Sequence, residues 1–294
     1  MSNLSLFHKI AESSAPKRIG IFIIILLLVW IPLAIPIYLL VEDVNLKSIW
    51  AIALLYIEFI ILVKLWGKKI YQQSHLLHSY GLIINRLNFQ LFFQGLGIGL
   101  FSIFSLFILE IFLGLAVWQS PSEKLLQFVF EGLLVSVGIG FAEELLFRGW
   151  LLDELERNYQ QNVVLWLSSI VYAVLHFIKP IKEIWRNCLQ FPGLVLLGLI
   201  LVWAKRSTRK KLNQFTPKKQ ELLGLSIGIH AGLVWGYYII NVGSLVKYYY
   251  NTREWLVGID GNPLTGLIGL FFLAVIALWI CLLYTSPSPR DCKT

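Results

Sequence analysis

Apolar residues recur along this chain in unbroken runs, not on one face of otherwise polar segments. Eight such runs stand out, at roughly 19–41, 48–66, 89–118, 125–147, 163–178, 186–203, 222–241 and 264–284. A hydrocarbon core of about 30 Å is crossed by about 20 residues of helix, so runs of this length predict transmembrane spans. Barrel strands alternate over about ten residues, a pattern absent here, and lipid leaves only helix to an isolated span. The predicted fold class is all-α: a polytopic transmembrane helical bundle of about eight spans. Pro32 and Pro36 predict a kink in the first span. Gly95, Gly97 and Gly99 in the third span, and Gly132, Gly138 and Gly140 in the fourth, predict close helix approach.

Composition agrees. Hydrophobic residues make up 57% of 294 and charged residues 14%, against roughly 25% charged in a soluble domain. A net charge of +8 invites a nucleic-acid reading, but the charges follow the loops. With the N terminus placed in the cytosol, 18 of the 25 Lys and Arg residues fall on the inward side, which satisfies the positive-inside rule. The expectation is an integral, multi-pass protein of a bacterial plasma membrane with both termini cytosolic. Its partner is then the lipid bilayer, not nucleic acid. The basic KRSTRKK at 205–211 reads as a contact for anionic lipid. The polar N-terminal stretch precedes a span too long for a signal sequence, so no cleavage is expected. Cys188, Cys281 and Cys292 lack metal-ligand spacing and carry no assigned chemistry.

Ionisable residues inside a bilayer are expensive and mark function. Few are candidates for the hydrocarbon interior: Glu58, Glu110, Glu131, Glu143, Glu144, Arg148, His176 and His230. Glu131 lies near a span end, and Glu58 and Glu110 are isolated carboxylates. The run FAEELLFRGW differs. Four residues separate Glu144 from Arg148, which stacks them as an ion pair on a helix. Glu143 is turned about 100° away and faces something else. Counted from the cytosolic ends at Arg157, Asn162 and Lys219, Glu143 and His176 each lie about 21 Å deep and His230 about 16 Å. Three catalytic-type side chains from three helices thus reach one level.

Those residues form three ordered motifs: EExxxR at Glu143, Glu144 and Arg148; YxxxH ending at His176; and HAG beginning at His230. Together they resemble the CPBP family, the CAAX prenyl proteases and bacteriocin-processing enzymes of the Abi type, over roughly 90–284. The resemblance implies an intramembrane endopeptidase. In that reading Glu143 is the general base toward water, His176 orients the water, and His230 donates to the oxyanion. Glu144 and Arg148 support the fourth span. Two positions depart from the family pattern. Tyr172 stands where Phe is usual, and Val234 stands one turn after His230 where Asn or Asp is frequent. Asn241 lies too far along the helix to substitute for it.

The chain then divides into residues 1–88, an N-terminal tail with two leading spans; 89–284, the protease-like core; and 285–294, expected to be a non-native tail. The expected substrate is a membrane-associated protein or peptide, with no cofactor. Two alternatives stay open. Two Glu and two His suit a zinc-dependent version of the same protease, and a non-enzymatic scaffold or immunity protein would keep the fold without the chemistry.

Overall fold

A computed structural model describes residues 2–213 and 221–285. Cys292, the rest of the 286–294 tail and the depth reference Lys219 lie outside the described residues. Helix α1 spans Ser2–Ala11, α2 Ala15–Leu40, α3 Val44–Lys69, the short α4 Leu76–Ser79 and α5 Arg86–Phe112. Strand β1 (Ala116–Trp118) precedes α6 (Leu125–Glu144), a π-helical turn over Leu145–Leu151, and α7 (Leu152–Glu156). Next come α8 (Gln161–Leu175), α9 (Ile181–Asn187), α10 (Gln190–Asn213) and α11 (Gly224–Val242). Strand β2 (Val246–Tyr248), α12 (Glu254–Val257) and α13 (Leu267–Thr285) complete the described chain.

The helical membrane bundle is as the apolar runs predict, with differences in detail. Among the described residues six helices are long and apolar enough to span: α2, α3, α5, α6 with its continuation to Glu156, α10 and α11. Helices α8 and α13 are apolar but shorter. The third predicted run, 89–118, does not stay helical to its end. Helix α5 stops at Phe112, Gly114 takes a left-handed φ of 70°, and the chain re-enters as β1. There Val117 pairs with Lys247 of β2 in an antiparallel two-stranded ribbon. A carbonyl-to-amide ladder satisfies the backbone where the helix no longer does.

The leading helices pack on the core through the segment that follows α6. Arg18, almost fully buried, donates from Nε to Glu154 Oε2 at 2.8 Å and from Nη2 to Asn158 Oδ1 at 2.9 Å. The Tyr71 hydroxyl donates to the same Glu154 carboxylate at 2.6 Å. Burial and that carboxylate push the Tyr71 hydroxyl well above its ordinary range, so it remains a donor. Phe22, Phe59 and Trp150 interlock beneath them, with the Phe22 and Trp150 rings 4.5 Å apart.

Two cations of the basic 205–211 stretch turn inward, not toward lipid. Lys205 and Arg206 are about 5% exposed and turn inward. Lys205 Nζ donates to the Arg148 carbonyl at 2.7 Å, and Arg206 pairs with Glu156 at 2.8 Å. These two cations hold α10 to the π turn and α7, so they do not face anionic lipid.

Helices α5 and α11 run parallel and nearly touch. Glycines recur every four residues on α11, at 224, 228, 232 and 236, and meet Gly95 and Gly99 of α5. A methyl at Gly228 would fall on the Phe92 carbonyl oxygen, and one at Gly99 would lie 2.6 Å from that of Ile229. Gly97 and Gly138, also expected at close contacts, face open space. Gly232→Leu is therefore expected to abolish the folded peak in detergent gel filtration, because the backbones cannot part without repacking both helices. Gly97→Ala is expected to be neutral or stabilising by up to about 1 kcal/mol, from helix propensity alone.

Candidate active site

Helix α6 ends on Glu144, and the chain continues into the π turn over Leu145–Leu151. Such wide turns are rare inside α-helices and concentrate at functional sites. Here the turn carries Arg148, 1% exposed, directly beneath the two glutamates. Arg148 Nη1 donates to Glu144 Oε1 at 2.8 Å, and Nη2 reaches the Gly198 carbonyl of α10 at 3.3 Å. Its guanidinium lies 4.4 Å above the Tyr172 ring, a cation–π contact strengthened by desolvation.

Glu144 has a second partner that spacing alone does not reveal. The same Oε1 faces His230 Nδ1 at 2.9 Å, so this fully buried carboxylate bridges Arg148 and His230. The glycine contacts of α11 set the depth of His230. His176 is placed differently. It caps the end of α8, a helix of 15 residues that ends at the site. At about 22 Å, α8 is shorter than a full crossing. A backbone break at this depth is tolerated where it lines a cavity. His176 Nδ1 lies 2.8 Å from the Tyr172 carbonyl.

Those contacts fix the imidazole protons. A carbonyl only accepts, so Nδ1 of His176 carries hydrogen; Glu144 Oε1, which already accepts from Arg148, accepts from Nδ1–H of His230 in the same way. Both Nε2 atoms therefore point toward Glu143, each 3.8 Å from its Oε2. That separation is too long for a direct hydrogen bond and suits one shared water. Among the described residues Glu143 Oε2 is buried without a hydrogen-bond partner, although the side chain as a whole is 29% exposed. Tyr172 closes the cluster from below, its ring 4.5 Å from His176 and 6.4 Å from His230.

The structure thus brings Glu143, Glu144, Arg148, His176 and His230 into one cluster and leaves the other carboxylates outside. Glu110 accepts from the Tyr248 hydroxyl at 2.8 Å and ties α5 to β2. Glu131 accepts from Gln127 on the surface. Neither carboxylate oxygen of Glu58 has a hydrogen-bond partner among the described residues, and Glu58 does not line the cavity over the cluster.

Glu143, Tyr172, His176 and His230 line one end of a cavity of about 280 Å³. Its remaining wall is mainly apolar, with Leu106, Ile139, Leu194, Leu197, Leu233, Val234 and Phe272. Three polar side chains missed by sequence reasoning also line it: Ser102, Gln190 and Asn262. They come from three distant segments and belong to no motif, so no local signal marks them. The Asn262 Oδ1 accepts from Leu264 N at 3.0 Å, which leaves its NH2 as the available donor. Among the described residues no group of three His, Cys, Asp or Glu is arranged closely enough to hold a metal.

Fold and cluster define a membrane-embedded helical protein with a buried carboxylate–histidine centre. Residues 124–236 match the family model of type II CAAX prenyl endopeptidases, Rce1-like. The match contains Glu143, Glu144, Arg148, Tyr172, His176 and His230, and it bears out the resemblance read from the motifs. No curated protein and no solved structure matches the chain.

Val234 lines the cavity, which makes it an informative position. An oxyanion donor is worth about 2.7–4 kcal/mol. Val234→Asn is expected to raise kcat on a cleaved peptide by about tenfold or more, measured at equal folded concentration. An unchanged kcat would mean that another amide of this cavity already fills the role.

Proposed function

We propose that this protein is an intramembrane endopeptidase that hydrolyses a peptide bond of a membrane-associated protein or peptide with water activated by Glu143. The observation that carries the reading is the convergence of both imidazole Nε2 atoms on the unpartnered Glu143 oxygen, 3.8 Å from each. The match to an endopeptidase family over the same residues supports it.

The chemistry follows from the proton assignments. A water at this point gives one O–H to the Glu143 carboxylate and the other to the lone pair of His176 Nε2. Glu143 takes the first proton as the water oxygen attacks the scissile carbonyl. For His230 to donate from Nε2 to the developing oxyanion it needs a second proton beside that on Nδ1, a charge that Glu144 beneath it would balance. Glu143 then passes its proton to the leaving amine, the carbonyl reforms and the C–N bond breaks. Arg148 neutralises Glu144 and fixes the π turn. The positive-inside distribution supports a cytosolic α6–α7 end and cytosolic termini.

The test is hydrolysis of a panel of membrane-proximal peptides by purified protein, with and without prolonged o-phenanthroline. Chelator-resistant cleavage is the expected result. Cleavage lost to the chelator and restored by zinc, but not magnesium, would recast Glu143 and the two histidines as ligands. No cleavage of any peptide would favour the non-enzymatic scaffold.

A further inference from the structure

Between His176 and α10 the chain passes through α9, a short helix that the rest of the protein hardly holds. No residue of α9 is buried. Its ion pair to another segment is Arg186 with Asp260, both side chains almost two-thirds exposed, and pairs of that kind contribute little. Yet α9 is sharply patterned. At about 100° per residue, Ile181, Ile184, Trp185 and the capping Cys188 fall on one side of the helix, and Lys182, Glu183, Arg186 and Asn187 on the other. The apolar side has no cover from protein: Ile181 is 72% exposed and Trp185 75%. It continues the exposed apolar surface of Val174 and Leu175 at the end of α8. On the polar side Lys182 and Arg186, with Lys179 just ahead of the helix, outnumber Glu183.

Depth agrees with the pattern. Helix α8 starts beside the polar Gln160, Gln161 and Asn162 and rises about 22 Å, which leaves about 8 Å of a hydrocarbon core of about 30 Å. The α9 segment therefore lies at the outer edge of the leaflet remote from α7. Trp is favoured there, and amphipathic basic helices lie with their apolar face about 5–10 Å into the boundary between headgroups and acyl chains.

We infer that α9 is an interfacial helix seated in that leaflet, with Ile181 and Trp185 among the acyl chains and Lys179 and Lys182 on lipid phosphates, and that this seat holds the end of α8 and with it His176. His176 stands five residues ahead of α9 and beyond the last residue of α8, so the backbone that carries its ring is anchored on one side by the bundle and on the other by lipid. The inference holds whatever reaction the cluster performs.

The experiment uses the full-length protein with Cys281→Ala and Cys292→Ser, so that a nitroxide attached to the exposed Cys188 reports depth by power saturation. In vesicles of phosphatidylethanolamine and phosphatidylglycerol the label should be more accessible to oxygen than to nickel-EDDA, at about 5–10 Å below the phosphates. Each lysine at an anionic surface is worth about fivefold in binding, so Lys179→Glu combined with Lys182→Glu should raise the nickel accessibility. Carbethoxylation by diethylpyrocarbonate, read residue by residue by mass spectrometry, should rise about fivefold at His176 in the same variant and stay unchanged at His230. Neither measurement needs a cleaved peptide, so this inference and the hydrolase reading fail separately. Water-like accessibility of the label in the parent protein would overturn the seat, as would shielding from both reagents, the mark of a protein partner on this face. Unaltered His176 reactivity in the lysine variant would overturn the link from the seat to the site.

Discussion

Glu143→Gln is expected to remove hydrolysis while leaving the protein folded and able to bind. A general base contributes about 10²- to 10⁴-fold, and Glu143 is also the group that returns the proton to the leaving amine, so kcat should fall by about 10³-fold or more. The fold should not notice. Among the described residues Glu143 Oε2 makes no hydrogen bond, the side chain is about one-third exposed, and the amide is isosteric. The melting temperature should stay within a few degrees of wild type, and KM should change little, because the lost interaction belongs to the transition state. Measurement requires single-turnover kinetics beside a thermal melt in detergent. Near-full hydrolysis by the variant would sink the glutamate-water mechanism outright.

Much of this was legible in the sequence because a bilayer is a severe solvent. Continuous apolar runs dictate helices, and a buried Glu, His or Arg has to be explained. The i, i+4 spacing of Glu144 and Arg148 predicts the pair seen at 2.8 Å. Spacing on one helix says nothing about contacts made across helices, however. The bond from His230 to Glu144, 86 residues away, follows from the approach of α11 set by its glycine repeat. Uniform rise per residue also fails locally. It assumes an unbroken fourth helix to Arg157, where the chain forms a π turn. Lys205 and Arg206 mislead for a related reason. Basic residues past the end of an apolar run read as headgroup contacts, but the Arg148 carbonyl of the π turn and the Glu156 carboxylate of α7 claim these two first.

Arg148 is expected to be the most destabilising position in the cluster. Removing one member of a buried ion pair typically costs about 3–5 kcal/mol, because the remaining charge is stranded. Arg148→Leu strands Glu144, which is fully buried, and also loses the Gly198 tie and the Tyr172 contact. Folded yield should collapse. Replacing both partners by apolar groups of similar volume is often neutral, so Glu144→Leu combined with Arg148→Leu should recover much of the lost stability. It should not recover turnover, because His230 then has no carboxylate to hold Nδ1–H and to balance its imidazolium. Stability and kcat measured around this double-mutant cycle separate the two roles. Glu144→Leu alone should lose both, since it strands Arg148 and releases His230. A double variant that folds and hydrolyses peptide at the wild-type rate would show that Glu144 serves the helix only, and that His230 reaches its working position without it.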